Sequence, residues 1–470
     1  MKTHSIALLF MGLSCLLFVG IALAGTTTWE GDESINWATA GNWTAGVPAS
    51  DSDVIIDGNY SGAGYTNPPT LDVSGGSVTI KSLSLGANNT SVLTIAFGSP
   101  TEKFVITDDC TIGTNGTLTH TTNYNAETHR IFMDVGNNLT IAQGGQINVT
   151  GKGYTYRKGD GQAGGNGGGG YGGEGGGAAG GTTYGSITAP VNIGSGGFNP
   201  GAYGGGAVSL TVTGTTTVDG TISAVGVGLW NDASSGGSVF ITASAITGSG
   251  TIQADGGDAA GTGGRGGGGR IAVILTNDTD FGSITIQAYG GSTGNNKGAA
   301  GTIYLETYTD TPGEGELIVN NNNVVPLPYF AKKTVQNGVA ASSYTFSRIT
   351  LTNSGVYALD SDDTLDVTGA TITGDPDNEY EGIYVDGGTL TISSGAFTWT
   401  NYFIGLSAPG VTTFDATTSL TIGSNATLIV DTTNTLNCPV TVLSGGQISH
   451  TPNWSAEQYK IYLTINGDLD

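Results

Sequence analysis

The chain copies itself at a short, regular interval. Gly206-Ala207-Val208-Ser209-Leu210-Thr211 is followed by Gly237-Ser238-Val239-Phe240-Ile241-Thr242, by Gly269-Arg270-Ile271-Ala272-Val273, and by Gly301-Thr302-Ile303-Tyr304-Leu305, with starts 31, 32 and 32 residues apart. Between them a second run recurs, Gly220-Thr221-Ile222-Ser223-Ala224, Gly250-Thr251-Ile252-Gln253-Ala254 and Ser283-Ile284-Thr285-Ile286-Gln287-Ala288. Each run is short, β-branched and bounded by Gly, Asn or Asp, as strands are. A unit of two short strands and a glycine loop cannot bury an apolar face alone, whereas stacked copies share one continuous core. The expected fold is therefore all-β: a β-solenoid, parallel β-helix-like, with glycine-rich loops. Similar runs at Leu139-Thr140-Ile141, Gln146-Ile147-Asn148-Val149, Thr389-Leu390-Thr391-Ile392 and Ser419-Leu420-Thr421-Ile422 extend the pattern over nearly the whole chain.

A second period is 330 residues long. Leu118-Thr119-His120-Thr121-Thr122-Asn123-Tyr124-Asn125-Ala126-Glu127 matches Ile448-Ser449-His450-Thr451-Pro452-Asn453-Trp454-Ser455-Ala456-Glu457, and the match runs ungapped to Leu139 against Leu469. The first copy leads into a glycine-rich segment. The expectation is that the natural polypeptide continues past Asp470 into a second such array, and an intact gene with a stop codon just after Asp470 would disprove it. Cys110 and Cys438 each precede their copy of this element. Equivalent positions in different repeats lie tens of ångströms apart, at ~4.8 Å per stacked strand, far beyond the ~7 Å a disulfide allows between Cα atoms. Both are expected to be buried thiols.

Composition narrows the function classes. The formal charge is −24, from 14 Lys+Arg against 38 Asp+Glu, which leaves no basic patch for a nucleic-acid backbone. Of 82 Gly, 48 lie between residues 151 and 301, so the glycine belongs to one array and not to a disordered chain. Residues 1–24 run from Lys2 through an apolar stretch to Ala22-Leu23-Ala24, the order of a secretory signal peptide, with the mature chain starting at Gly25. Lipidation at Cys15 is disfavoured by Gly12, which stands where an aliphatic residue is required. No later stretch is long and apolar enough for a transmembrane span. The expected product is secreted, extracellular or at the cell surface. Its expected organisation is a signal peptide at 1–24, an N-terminal cap and first β layers at 25–110, glycine-rich repeats at 111–330, and a second, truncated unit at 331–470.

Trp29, Trp37 and Trp43 crowd the opening of the mature chain, in a run ending Gly46-Val47-Pro48 and leading to Asp53-Val54-Ile55-Ile56. Large aromatics there would cover the open end of a stacked core, an aromatic N-terminal cap; the alternative is a sugar-stacking patch. This W-x5-W-x2-G-V-P-x4-D-V-I-I pattern resembles the opening segment of large secreted bacterial β-solenoid proteins, autotransporter-passenger-like and adhesin-like surface proteins among them. The stretch GGGGRIAVI at 266–274 resembles their glycine-rich repeats. The resemblance covers about 30 residues at the start and about 100 in the middle. It implies a parallel β-helix-type fold at or outside the cell surface.

Catalytic machinery is sparse. His120 and His450 are repeat-equivalent and His129 aligns with Tyr459, so these read as fold elements and not as members of a Ser-His-Asp triad. Glu127 and Glu457 recur in the same way. No phosphate-binding loop follows a strand and opens a helix. The acidic clusters Asp360-Ser361-Asp362-Asp363 and Asp375-Pro376-Asp377-Asn378-Glu379 place several hard oxygens within a turn. They are either solvated turns or Ca²⁺ ligands, the candidates being Asp360, Asp362, Asp363, Asp375, Asp377 and Glu379. Tyr154, Tyr156, Tyr171, Tyr184 and Tyr203 are interleaved with glycine. They either pin long loops to the array or present rings to sugars, and they are the glycan-contact candidates.

The function expected is a structural or adhesive repeat protein that holds polysaccharide or cell-surface and matrix components through many weak contacts. The alternative is a carbohydrate-active β-helix enzyme, a polysaccharide lyase or glycoside hydrolase. It would show one non-repeated cleft of convergent Asp/Glu and Arg/Lys, and residues 360–386 and 265–270 in one groove would favour it.

Overall fold

The computed structural model describes residues 25–58, 67–72, 76–99, 101–326, 332–376, 380–392, 395–407, 417–453 and 457–470. The leader 1–24 and the calcium candidates Asp377 and Glu379 lie outside them. Among the described residues the regular structure is 36 strands and one turn of 3-10 helix, Ala40–Asn42. The chain is nearly all-β and built of parallel sheets.

The repeated runs are neighbours in space. Ala207–Val218, Ser238–Thr247, Arg270–Leu275 and Thr302–Glu306 lie side by side in a 15-stranded sheet. Val208, Val239, Ile271 and Ile303 sit in register, as do Leu210, Ile241, Val273 and Leu305. The alignment of the sequence with itself is thus also the register of the sheet, because slipping one strand by a residue would turn its apolar set outward. The second runs form a seven-stranded sheet whose inward ladder is Leu118, Ile147, Ile222, Ile252 and Ile286. Both ladders belong to one apolar core reaching from Trp29 to Ile303.

Past Glu306 the chain reverses. Thr302–Glu306 pairs antiparallel with Glu316–Asn320, after which pairing is parallel again to Arg348–Thr352 and Thr371–Thr373. A six-stranded sheet follows, with Tyr357, Ile383, Ile404, Leu428 and Ile448 in register at steps of 26, 21, 24 and 20 residues. The step is shorter here because the glycine loops are missing. These strands enclose a second core, into which Ile187, Ala272, Ala300 and Tyr304 of the first unit also pack.

Ile147 and Ile222 are adjacent in register although 75 residues separate them. The intervening 149–206 segment contains no strand and folds back over the array. Its glycines do not behave as open loops. The N–H groups of Gly172 and Gly173 both donate to Gly268 O at 2.9 Å, Gly267 N–H donates to Gly169 O at 2.9 Å, and Gly176 N–H donates to Arg265 O at 2.7 Å. A Cβ on Gly267 would stand 1.9 Å from Gly173 O, and one on Gly264 would stand 1.9 Å from Gly176 O; neither residue has a left-handed backbone. Glycine is needed here for close approach: bare backbones layer on one another and satisfy each other's polar groups.

The opening tryptophans are buried in the first core. Trp29 and Trp37 each pack edge-on against Trp43, at 4.9 and 4.7 Å between ring centres. Their indole N–H groups are tied to backbone carbonyls where partners are resolved, Trp43 to Trp37 O at 2.8 Å and Trp29 to Asn67 O at 2.9 Å. Buried rings offer no face to a sugar. Cys110 and Cys438 are free and buried. Cys110 sits in the ladder between Leu83 and Leu139, and burial pushes its thiol up to about 12.

Candidate functional site

Successive loops of the array open a groove of about 280 Å³ along the stacking direction. Its floor is set by register. Ser223, Gln253 and Gln287 pair side by side, so the residues two further on, Val225, Asp255 and Tyr289, occupy equivalent places on three successive levels. Gly226, Gly256 and Gly290 follow at the next position, and Asn322 with Val324 supplies a fourth level. The backbone repeats while the side chain changes: valine, aspartate, tyrosine. Small floor residues keep the groove open where three levels of side chains would fill it.

The two carboxylates in the groove are held by the next level of the array. Asp255 accepts the Tyr289 N–H at 2.7 Å and the Gln287 Nε2–H at 2.5 Å. Burial holds its carboxyl above the usual range against those two bonds. The Tyr289 phenol is raised in turn, by burial first and then by the Asp255 charge. Asp258 Oδ1 accepts the N–H groups of Ser292 and Thr293 at 2.7 and 2.9 Å and the Thr293 hydroxyl at 3.0 Å, which fixes the next level's loop. Its Oδ2 takes only a 3.4 Å contact from Ser292 Oγ. Beyond Gly226 the loop closes in an antiparallel bridge between Gly228 and Ala233 and carries Trp230 at its tip, 71% exposed.

The residues singled out from sequence fall elsewhere. Tyr171 and Tyr184 are fully buried, their rings 4.6 Å apart. Tyr171 Oη shares a 2.6 Å hydrogen bond with Ser238 Oγ, and Tyr184 donates to Ile193 O at 2.6 Å. They pin the glycine segment to the array, which corrects their candidacy as glycan contacts: a buried ring cannot take a sugar. Tyr154 and Tyr203 are half-buried and Tyr156 is exposed. Asp363 is buried and caps its own turn, accepting the Asp360 N–H at 3.1 Å and the Ser342 hydroxyl at 2.7 Å. Asp362 is exposed, and the Asp375 N–H donates to buried Glu381 at 2.7 Å. Among the described residues no three His, Cys, Asp or Glu side chains are placed to hold a metal ion.

The two array arginines are spent on the fold. Arg265 donates to Gly261 O, Gly263 O and Asn231 O at 2.7, 2.7 and 3.2 Å. Arg270, fully buried, donates to Tyr184 O, Thr302 Oγ1 and Gln336 O at 2.9, 3.1 and 3.1 Å, which ties the glycine segment, the array and the second unit together. A guanidinium can be buried without an ion pair when carbonyls and hydroxyls satisfy its fork.

Sequence reasoning missed Asp255, Asp258, Tyr289 and Trp230. The signal was available: they are the positions at which an otherwise self-similar array departs from itself. Comparison with protein-family models, with curated proteins and with solved structures finds no match to this chain. Among the described residues no helix is long and apolar enough to cross a membrane.

Proposed function

We propose that this chain is a structural or adhesive module of a secreted or cell-surface protein, a β-solenoid rod that holds an extended polysaccharide by many weak contacts. The observation that carries this reading is the groove that crosses four levels of the array, with glycine in the floor of three of them and valine, aspartate and tyrosine beside it in turn. A site extended along the stacking axis suits a polymer better than a small molecule. Binding energy then accumulates with the number of levels engaged, each contributing little. The leader at 1–24 and the resemblance to secreted glycine-rich surface proteins support the extracellular setting.

The test compares ligand lengths. Isothermal titration of the purified chain with one glycan as short and long oligomers should show affinity rising with length and no new reducing ends. Release of reducing ends would favour the alternative, a glycoside hydrolase using the Asp255 and Asp258 carboxyls of the same groove. Affinity that is independent of length would remove the multivalent reading.

A further inference from the structure

We propose that the groove selects a polysaccharide bearing free amines, a linear amino-sugar polymer, over neutral and acidic glycans. This rests on the reading of the groove as a glycan site and adds the chemical class. The charge of the groove is incompletely compensated: Arg265 pairs with Asp258 at the edge of ion-pair distance, and Asp255 is held by neutral groups. Asp255 and Asp258 both line the groove. The nearest cation is Arg265, whose Nε lies 4.0 Å from Asp258 Oδ1 but whose side chain is only 2% exposed. Four of its five N–H donors already hold three carbonyls and the Thr293 hydroxyl, at 2.6 Å for the last, and its burial keeps the fifth from a ligand carboxylate or sulfate. With a formal charge of −24 over the chain, a uronate or sulfated polymer meets repulsion before contact and finds no cation on arrival.

An ammonium group meets the opposite. A carboxylate offers about four acceptor positions. Asp255 has one bond on each oxygen, and Asp258 Oδ2 has only the 3.4 Å contact. Asp255, with two bonds and both oriented, is therefore the less committed carboxylate, and on Asp258 only Oδ2 is lightly used. Charge-assisted bonds to fixed carboxylates are about twice as strong as neutral ones. Tyr289, one level on from Asp255, adds a ring face for the apolar side of a sugar and for a nearby cation. A basic peptide would share the ammonium chemistry but would not gain affinity from pyranose stacking.

The experiment uses the whole chain and three oligomers of matched length: glucosamine, N-acetylglucosamine and galacturonate. Affinity should be highest for the free-amine oligomer, about tenfold lower after N-acetylation, and unmeasurable for the uronate. Asp258→Asn and Asp255→Asn should each weaken the free-amine oligomer about tenfold while leaving the acetylated one unchanged, and added salt should erase the difference. Asp255→Asn keeps an acceptor for the Tyr289 N–H, and Asp258→Ser serves as a second variant should Asn fail to hold its loop; melting curves identify misfolded proteins. Equal binding of amine and acetylated forms, or indifference to both aspartate variants, overturns the amine class while leaving a glycan site. Failure of every glycan to bind overturns the glycan reading itself. Full displacement of the amine oligomer by a lysine-rich peptide of equal charge at equal concentration assigns the groove to basic protein segments and overturns the proposal.

Discussion

The element at 118–139 and its counterpart at 448–469 have one hydrogen-bond skeleton and two different surroundings. In the first, Asn123 Oδ1 accepts the N–H groups of Thr128 and His129, both at 2.8 Å, while its Nδ2 donates to His129 O at 2.8 Å. In the second, Asn453 does the same with Gln458 and Tyr459 at 2.7, 2.7 and 2.8 Å. His120 and His450 each place Nδ1 2.8 Å from the next residue's carbonyl. Glu127 pairs with Arg130, and Glu457 with Lys460. Yet Ala207–Val218 covers Ile131–Val135 and Leu139–Ile141 of the first copy, whereas Leu469 of the second is 58% exposed. The shared skeleton is supplemented in the first copy, where Asn123 Nδ2 also donates to Lys152 O at 3.0 Å and His129 Nδ1 lies 2.8 Å from Phe97 O.

The largest break in this symmetry should come from truncating the buried ladder. Leu139 is fully buried in the first core. Leu139→Ala is expected to cost about 2–5 kcal/mol, and Leu469→Ala less than about 0.5 kcal/mol, by denaturant unfolding. Equal costs would mean that the second copy is covered as the first is.

The histidines come next. His120 Nε2 accepts the Ala207 N–H at 3.2 Å, so the ring is neutral with its proton on Nδ1, donated to Thr121 O. Burial brings its pKa down to about 3, with nearby Lys152, His129 and Arg130 adding to the shift. His120→Ala should cost about 1–3 kcal/mol by orphaning a buried N–H, and His450→Ala less than about 1 kcal/mol. Because the folded pKa lies below the unfolded 6.5, this contribution is present above pH 6.5 and is lost as pH falls toward 3. Wild type should lose stability in acid more steeply than His120→Gln does.

Glu127 differs from Glu457 by a second duty. Beyond its arginine, it accepts the Ile193 N–H at 2.8 Å and the Asn192 Nδ2–H at 3.1 Å, latching the glycine segment. Glu127→Gln should cost about 1 kcal/mol and speed amide exchange around residues 190–206, while Glu457→Gln leaves exchange unchanged. Exchange unaffected by either change would show that the latch contributes nothing to holding the segment down.

What was legible in the sequence, and what was not, follows the same division. The 31- and 32-residue steps became strand register because each run must turn one apolar face inward. The burial of Cys110 in its ladder was legible for the same reason. The glycine stretches were read as loops and contain no strand; what local pattern does not show is their packing, since glycine at Gly264 and Gly267 lets backbones touch. That contact depends on a partner segment no local pattern names. Tyr171 and Tyr184 follow the first of their two alternatives, pinning the loops, and their candidacy as glycan contacts fails because the glycines around them are themselves buried. The groove was missed because its residues are remarkable only after alignment of the levels.

The smallest expected effect separates the two units by the sign of their pH response. Asp360 is raised to about 6 by burial first and then by Asp386, Asp363 and Glu174, with Lys333 opposing. Glu174 comes from the glycine segment and accepts the Lys333 N–H at 2.8 Å, so this carboxyl group reports on the seam between the units. Lys333 Nζ also lies 3.5 Å from Asp386 and 4.8 Å from the Tyr384 ring centre. Since the folded pKa of Asp360 lies above the unfolded 3.8, its contribution is complete below pH 3.8 and is lost as pH rises through about 6. Asp360 is partly exposed, and solvent screens the effect. Asp360→Asn should flatten the fall in melting temperature between pH 5 and pH 7.5 in the second unit, whereas His120→Gln should alter only the acid limb of the first. A wild-type protein that melts alike at both pH values would show that burial and the neighbouring carboxylates do not hold Asp360 above its ordinary range, and that the two units share one pH response.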